Sequence, residues 1–246
     1  MATTLKQTFD GGTHGAAVTW ESTEVTGAPV WLAGAGTAMY DTAVKAHGTG
    51  AARVTNTAGN NAPLVFGLPA GTVEVSGHAY YLLPATRPSI SVLYIATPGS
   101  GIEVVTADDG AVQVYDWNAS LGSSAAGVLP AAGTWVRIAF TLTIAATSTL
   151  RVGVYAADAT TALWELTTAV TIPGGDTIEN VQFGLQGSQP TAVPIVVDTI
   201  RVDHGTGAAA AFLPPELAPA TRKHQVWFRT PSGWRNIGTG RVVAAT

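Results

Sequence analysis

The chain has 246 residues, of which 46% are apolar and only 11% charged; its net charge is −4 and it has no cysteine. This balance excludes disulfides and thiolate metal sites, and it lacks the basic tract with which nucleic-acid-binding proteins hold phosphate. No run approaches the roughly 18 apolar residues of a membrane-spanning helix, and MATTLKQTFDGG has no apolar signal core, so synthesis in the cytoplasm without a signal peptide is expected.

Strand patterns recur from end to end. Leu5–Phe9, Ala51–Asn56, Thr72–Leu83, Ser89–Ala96, Ile102–Thr106 and Ala111–Trp117 are the first six. Asp109-Gly110 lies between two alternating runs, which is a hairpin signal. The clearest pattern follows at Gly133–Ala157. Val136, Ile138, Phe140, Leu142 and Ile144 alternate with Trp135, Arg137, Ala139, Thr141 and Thr143, and Leu150, Val152 and Val154 alternate with Arg151, Gly153 and Tyr155. Period-two alternation puts one set on a core face and the other on the opposite face, as in a half-buried antiparallel sheet. Ile178–Gln186 and Ile195–Asp203 complete the set, and no segment carries a helical period. Many strands, Gly-rich turns and no helix predict an all-β, two-sheet antiparallel jelly-roll sandwich over residues 1–205.

The composition changes after Gly205. Residues 206–221 are Ala/Pro-rich, with Pro214, Pro215 and Pro219 barring helix, and read as a semi-extended linker. Residues 222–246 read as a C-terminal β-hairpin arm about Thr230-Pro231-Ser232-Gly233, too small to be stable alone. Trp227, Phe228 and Trp234, with Arg229 and Arg235, make it an assembly element that needs a partner surface.

Signatures of catalysis are sparse. No E-x-D-x-E-like run supplies the paired carboxylates of a retaining glycosidase, and the histidines form no H-x-H or H-x-x-x-H pair for a catalytic zinc. G-x-S-x-G and phosphate-binding glycine loops are absent. Asp198 shares the alternation of Val196, Ile200 and Val202; a carboxylate on an apolar face needs donors or a cation. It either accepts loop N–H groups or shares a structural Ca²⁺ with Asp10 from the first strand. No other cofactor is implied. Tyr115 and Trp117, His78 and Tyr80, and Gln182 and Gln186 each alternate onto one face of their strands; they are core packing or a sugar-stacking platform.

FDGGTHGAAVT at the start, YDTAVKAHGTGAARVT at 40–55, GTWVRIAFTLT in the middle and VDTIRVD at the end resemble minor tail proteins of actinobacterial tailed phages, which carry a concanavalin A-like (laminin G-like) sandwich. The resemblance spans residues 5–205, and VWFRTPSGWRNI resembles Trp-rich modules that end such proteins. It implies a non-enzymatic virion structural protein whose lectin-like sandwich contacts host cell-wall glycan. The alternatives are a capsid decoration protein without ligand and a glycan-active enzyme. Its implied partners are other virion proteins and copies of itself, a trimer by analogy.

Overall fold

The computed structural model describes residues 2–18, 30–32, 36–57, 61–84, 89–117, 119–172, 176–186, 194–216, 223–230 and 233–241. Alternating apolar residues build strands throughout, and there is no helix among the described residues. In chain order the strands are β1 (Thr3–Gln7), β2 (Val30–Leu32), β3 (Gly36–Asp41), β4 (Ala51–Asn56), β5 (Ala62–Gly67), β6 (Glu74–Leu82), β7 (Ile90–Thr97), β8 (Ser100–Thr106) and β9 (Val112–Asp116). They continue with β10 (Ala119–Ser123), β11 (Trp135–Thr143), β12 (Ser148–Ala156), β13 (Ala162–Val170), β14 (Asn180–Gln186), β15 (Pro194–His204), β16 (Lys223–Thr230) and β17 (Gly233–Arg241).

Two antiparallel sheets form the sandwich. The eight-stranded sheet runs β13-β12-β11-β6-β15-β4-β3, with β1 also on β15, and the seven-stranded sheet runs β10-β9-β8-β7-β14-β5-β2. Consecutive strands lie in opposite sheets at several points, as in a jelly roll. Phe140, Val152, Val136 and Leu142 from the first sheet meet Phe66, Phe183, Ile95 and Val104 from the second in one core. Gly77 is required there: a Cβ on it would stand 2.6 Å from the Phe140 ring.

β15 departs from its predicted alternation. Its pairing with β6 slips between Asp198 and Arg201, and Thr199 takes φ 35°. A bulge adds one residue to one strand and so reverses which face the following residues take. Ile195 and Val197 face the core before the bulge, and Ile200 and Val202 face it after. Asp198 therefore does not share a face with Ile200 and Val202; it lies on the outer face with Val196, and Arg201 and Asp203 join it there.

The chain divides into two compact units, Met1–Pro215 and Glu216–Thr246. The second contains the antiparallel pair β16–β17. Trp227, Phe228, Arg229, Trp234 and Arg235 occupy positions on these two strands; their side-chain environments lie outside the described residues, as do residues 217–222.

Candidate active site

The outer face of the eight-stranded sheet carries an ordered array of polar side chains. Cross-strand register places Tyr155, Arg137, Tyr80 and Asp198 in one row across β12, β11, β6 and β15. The next row holds Glu165, Gly153, Ala139, His78, Arg201 and Lys6, and the one after it Arg151, Thr141, Ser76 and Asp203. Alternation forces this arrangement, because the intervening residues of each strand are committed to the core.

The face is more buried than an open sheet surface. Arg137 keeps 2% of its surface, and Tyr80, His78, Ser76 and Asp198 keep none. Two loops and a chain segment cover it. Residues 42–50 fold over one side: Asp198 accepts the N–H groups of Ala46 and His47 at 2.7 and 2.8 Å, while Asp10 accepts from Thr49 and from the Gly50 N–H. Burial pushes the Asp198 carboxyl up, against the lowering by these bonds. Loop N–H groups thus satisfy both candidate calcium ligands, and among the described residues no group of three His, Asp or Glu could hold a metal.

A compact cluster sits where that loop meets the turn after β12. The Tyr80 hydroxyl lies 3.1 Å from Asp158 Oδ1. His47 Nε2 stands 2.9 Å from the same oxygen, off the hydrogen-bonding direction, and its ring meets Tyr80 edge-on at 4.5 Å. Asp158 keeps 47% of its side chain exposed. Beside the cluster, Arg137 gives its three hydrogen bonds to the carbonyls of Ala157, Ala159 and Leu213 and lies 4.2 Å from the Tyr155 ring centre. Burial draws the guanidinium down from its usual value, while Tyr80, Tyr155 and Asp158 act the other way. Burial and a hydrogen bond to Glu165 push the Tyr155 phenol up to about 12. An open pocket of about 410 Å³ adjoins the cluster, lined by Arg53, Leu82, Pro84, Gly133, Pro194 and Val196. Leu82 is one same-face step along β6 from Tyr80, about 7 Å.

Ser76 Oγ and both ring nitrogens of His78 are buried without a hydrogen-bond partner. Each such orphan costs about 1–3 kcal/mol. Burial first, then Arg137 and Arg201, lowers the His78 pKa to about 3, so its imidazole is neutral at ordinary pH.

The predicted sugar platform divides between the two outer faces. His78 and Tyr80 lie on the face just described. Tyr115 and Gln182 lie on the outer face of the seven-stranded sheet, in register with Tyr94 and Glu103, and Gln186 occupies a β14 position opposite Ser91. Trp117 follows β9 and is 67% exposed. His47, Asp158 and Arg137 are site residues beyond the predicted set. Only Arg137 had a signal in its strand: a guanidinium in mid-strand, on the face opposite Phe140.

No protein-family model and no curated protein sequence matches the chain. Solved structures do match it in fold. A protein of unknown function from Shewanella oneidensis MR-1 has a TM-score of 0.55 at 13% identity, over 86% of this chain and 90% of that one. The cellulose-induced protein Cip1 has a TM-score of 0.54 at 14% identity, covering 80% and 96%. The alginate lyase Aly36B has a TM-score of 0.52 at 15% identity, covering 81% and 96%. At these identities the likeness is one of fold, a β-sandwich found among carbohydrate-active proteins.

The expectations of a non-enzymatic virion structural protein and of no enzymatic activity are corrected by this comparison, because the fold's neighbours include an alginate lyase. The expectation against catalysis rested on the missing carboxylate pair. That absence bears on hydrolysis by two carboxylates alone; elimination needs no such pair.

Proposed function

We propose that the protein is a glycan-active enzyme that cleaves an acidic polysaccharide by β-elimination on the outer face of the eight-stranded sheet. One observation carries the reading: Tyr80, Asp158 and His47 converge within hydrogen-bonding distances beside Arg137 and the Arg53 pocket. The alginate lyase neighbour, and its variant in complex with alginate trisaccharide at a TM-score of 0.52, support an acidic glycan as the substrate class.

The chemistry assigns each group a task. The C5 proton of a uronate is acidic only when the neighbouring carboxylate charge is offset, so a guanidinium facing that carboxylate stabilises the developing enolate. Arg53 lines the open pocket; its Nε and Nη2 already bond Asp41 Oδ2, so only its remaining N–H groups face the uronate carboxylate. Tyr80 and His47 Nε2 are sealed, so the covering 42–50 loop has to open before a base of the cluster takes the C5 proton; the electron pair then forms the C4=C5 double bond, the C4–O bond breaks, and the departing oxygen takes a proton from the other member. Asp158 orients the Tyr80 hydroxyl through its hydrogen bond, as a third group orients a nucleophile–base pair.

Incubation with alginate and with glucuronan tests the reading through ultraviolet absorbance of the new double bond. Wild type should form unsaturated products, and Tyr80→Phe should be slowed by about 10²–10⁴. No unsaturated product from any polyuronate, or a Tyr80→Phe variant as active as wild type, would overturn it. The resemblance of residues 5–205 to tail proteins supports placing such an enzyme on a phage particle, which immunolabelling of purified particles tests.

A further inference from the structure

The part of the site face remote from the Arg53 pocket is covered by the protein's own chain. Gly205–Pro215 runs out of β15 and crosses back over β6, β11 and β12 without joining the sheet. The Gly205 and Gly207 N–H groups bond to Glu74 O and Glu74 Oε2, at 3.1 and 2.7 Å. Phe212 then stands edge-on to Tyr155 at 6.1 Å, with the Arg151 guanidinium 4.5 Å from its ring centre. The Leu213 carbonyl accepts from Arg137 Nη1 at 3.0 Å.

What lies beneath does not match what lies on top. The covered groups are a guanidinium, a phenol, a neutral imidazole and a hydroxyl, the types that hydrogen-bond and stack on a pyranose. The covering sequence is GTGAAAAFLPP, which offers methyl groups and turns. His78 and Ser76, on the covered face, have no hydrogen-bond partner although neither is accessible to solvent. A core built for permanence pairs such groups; a ligand carrying hydroxyls would pair them here. Meanwhile Phe212 presents a ring to Tyr155 and Arg151, and Leu213 presents an oxygen to Arg137, each at a place a sugar ring and its oxygen would use.

We propose that the surface beneath Gly205–Pro215 is a further sugar subsite, continuous with the Arg53 pocket, and that Phe212 and Leu213 fill it until an acidic oligosaccharide displaces them. The subsite rests on the elimination reading above and extends its binding cleft across the face, over successive rows from Arg53 to Arg151. The strap is held by two bonds to Glu74, one to Arg137, the contacts of Phe212 with Tyr155 and Arg151, and the burial of Ala208 and Leu213; none of these is a ladder bond, so it can leave without unpairing a strand.

Hydrogen exchange on the full chain tests this, with a size-defined alginate oligosaccharide as probe and Tyr80→Phe as the background that prevents turnover. Bound oligosaccharide should raise exchange at Gly205 and Gly207, whose amides bond to Glu74, while lowering it in β11 and β12. Phe212→Ala, in the same background, should bind the probe about tenfold more tightly, since binding no longer displaces the ring. Should Phe212→Ala fold poorly, the exchange measurement on the unaltered strap decides alone. Oligosaccharide bound with the strap amides as protected as before, and with affinity unaltered by Phe212→Ala, would overturn the subsite and leave the elimination reading standing. No binding to either protein, together with no unsaturated product from wild type, would overturn both.

Discussion

The two outer faces of the sandwich are built by the same alternation and meet opposite ends. On the eight-stranded sheet the outward residues Arg137, Tyr80 and His78 are sealed under loops and the 205–215 strap. On the seven-stranded sheet the outward residues Tyr94, Glu103, Gln113 and Tyr115 keep part of their surface, and the last two pair with each other: the Tyr115 hydroxyl donates to Gln113 Oε1 at 2.7 Å. Polarity in the pattern therefore marks a face as turned away from the core, without marking it as wet. The dry face has paid desolvation for groups that a sheet does not need, which is how reactive side chains acquire altered proton affinities.

Four measurements break or sharpen this contrast. The largest effect belongs to what the faces share. Phe140→Ala removes a ring from the core between both sheets and should cost about 3–5 kcal/mol in chemical denaturation; an unaltered midpoint would mean that the core is not common to the two faces.

Next comes chemistry on one face alone. Tyr80→Phe should lower the rate of elimination by about 3–5 kcal/mol in barrier, whereas Tyr115→Phe on the open face should leave it unaltered. Equal losses from both would remove the functional distinction between the faces.

A graded effect, about 1.4 kcal/mol for each pH unit, separates them by pH. His78 faces Arg137, Arg201, Lys6 and His47, and its folded pKa of about 3 lies below the ordinary 6.5. Below about pH 6.5 the unfolded chain binds a proton that the folded chain refuses, so this contribution to stability is whole above that pH and is lost as pH falls towards 3. The difference between wild type and His78→Gln isolates it from the carboxylates Asp41 and Asp198; parallel pH profiles for the two proteins would show that His78 is not sealed. The smallest effect is on the open side, where Trp117→Ala should alter stability by less than about 0.5 kcal/mol in thermal melts. A larger loss would reveal a surface that covers Trp117.

The sandwich is readable because its strands advertise themselves. Ala51–Asn56 has in β4 the ends its pattern predicts, and the Gly133–Ala157 pattern becomes the β11–β12 pair, with Phe140 opposite Val152. Strands that obey weaker rules escape. β13 alternates Trp164 and Leu166 against Glu165 and Thr167 in an Ala/Thr-rich setting, β5 is a continuous apolar run bounded by Pro63 and Gly67, and β10 has hardly any apolar residue. The site is legible in halves. His78 and Tyr80 can be assigned one face from β6 alone, but the neighbours of Tyr80, His47 and Asp158, come from loops, Asp158 lying 78 residues beyond Tyr80. Nothing in the local pattern of a loop states which strand it will fold over.

The extra residue in β15 also changes how tolerance to mutation should read along that strand. Before Thr199, polar replacements should be harmful at the odd positions Ile195 and Val197 and milder at Val196. Beyond Thr199 the phase inverts, so that Ile200 and Val202 become the positions that accept only apolar residues. A saturation scan of 194–204 would therefore show a phase slip, and shortening the strand by the single residue Thr199 should be worse than most substitutions within it. Thr199→Gly suits φ 35° but gives up the Thr199 Oγ1 bond to buried Asp198, so it should be milder than the deletion.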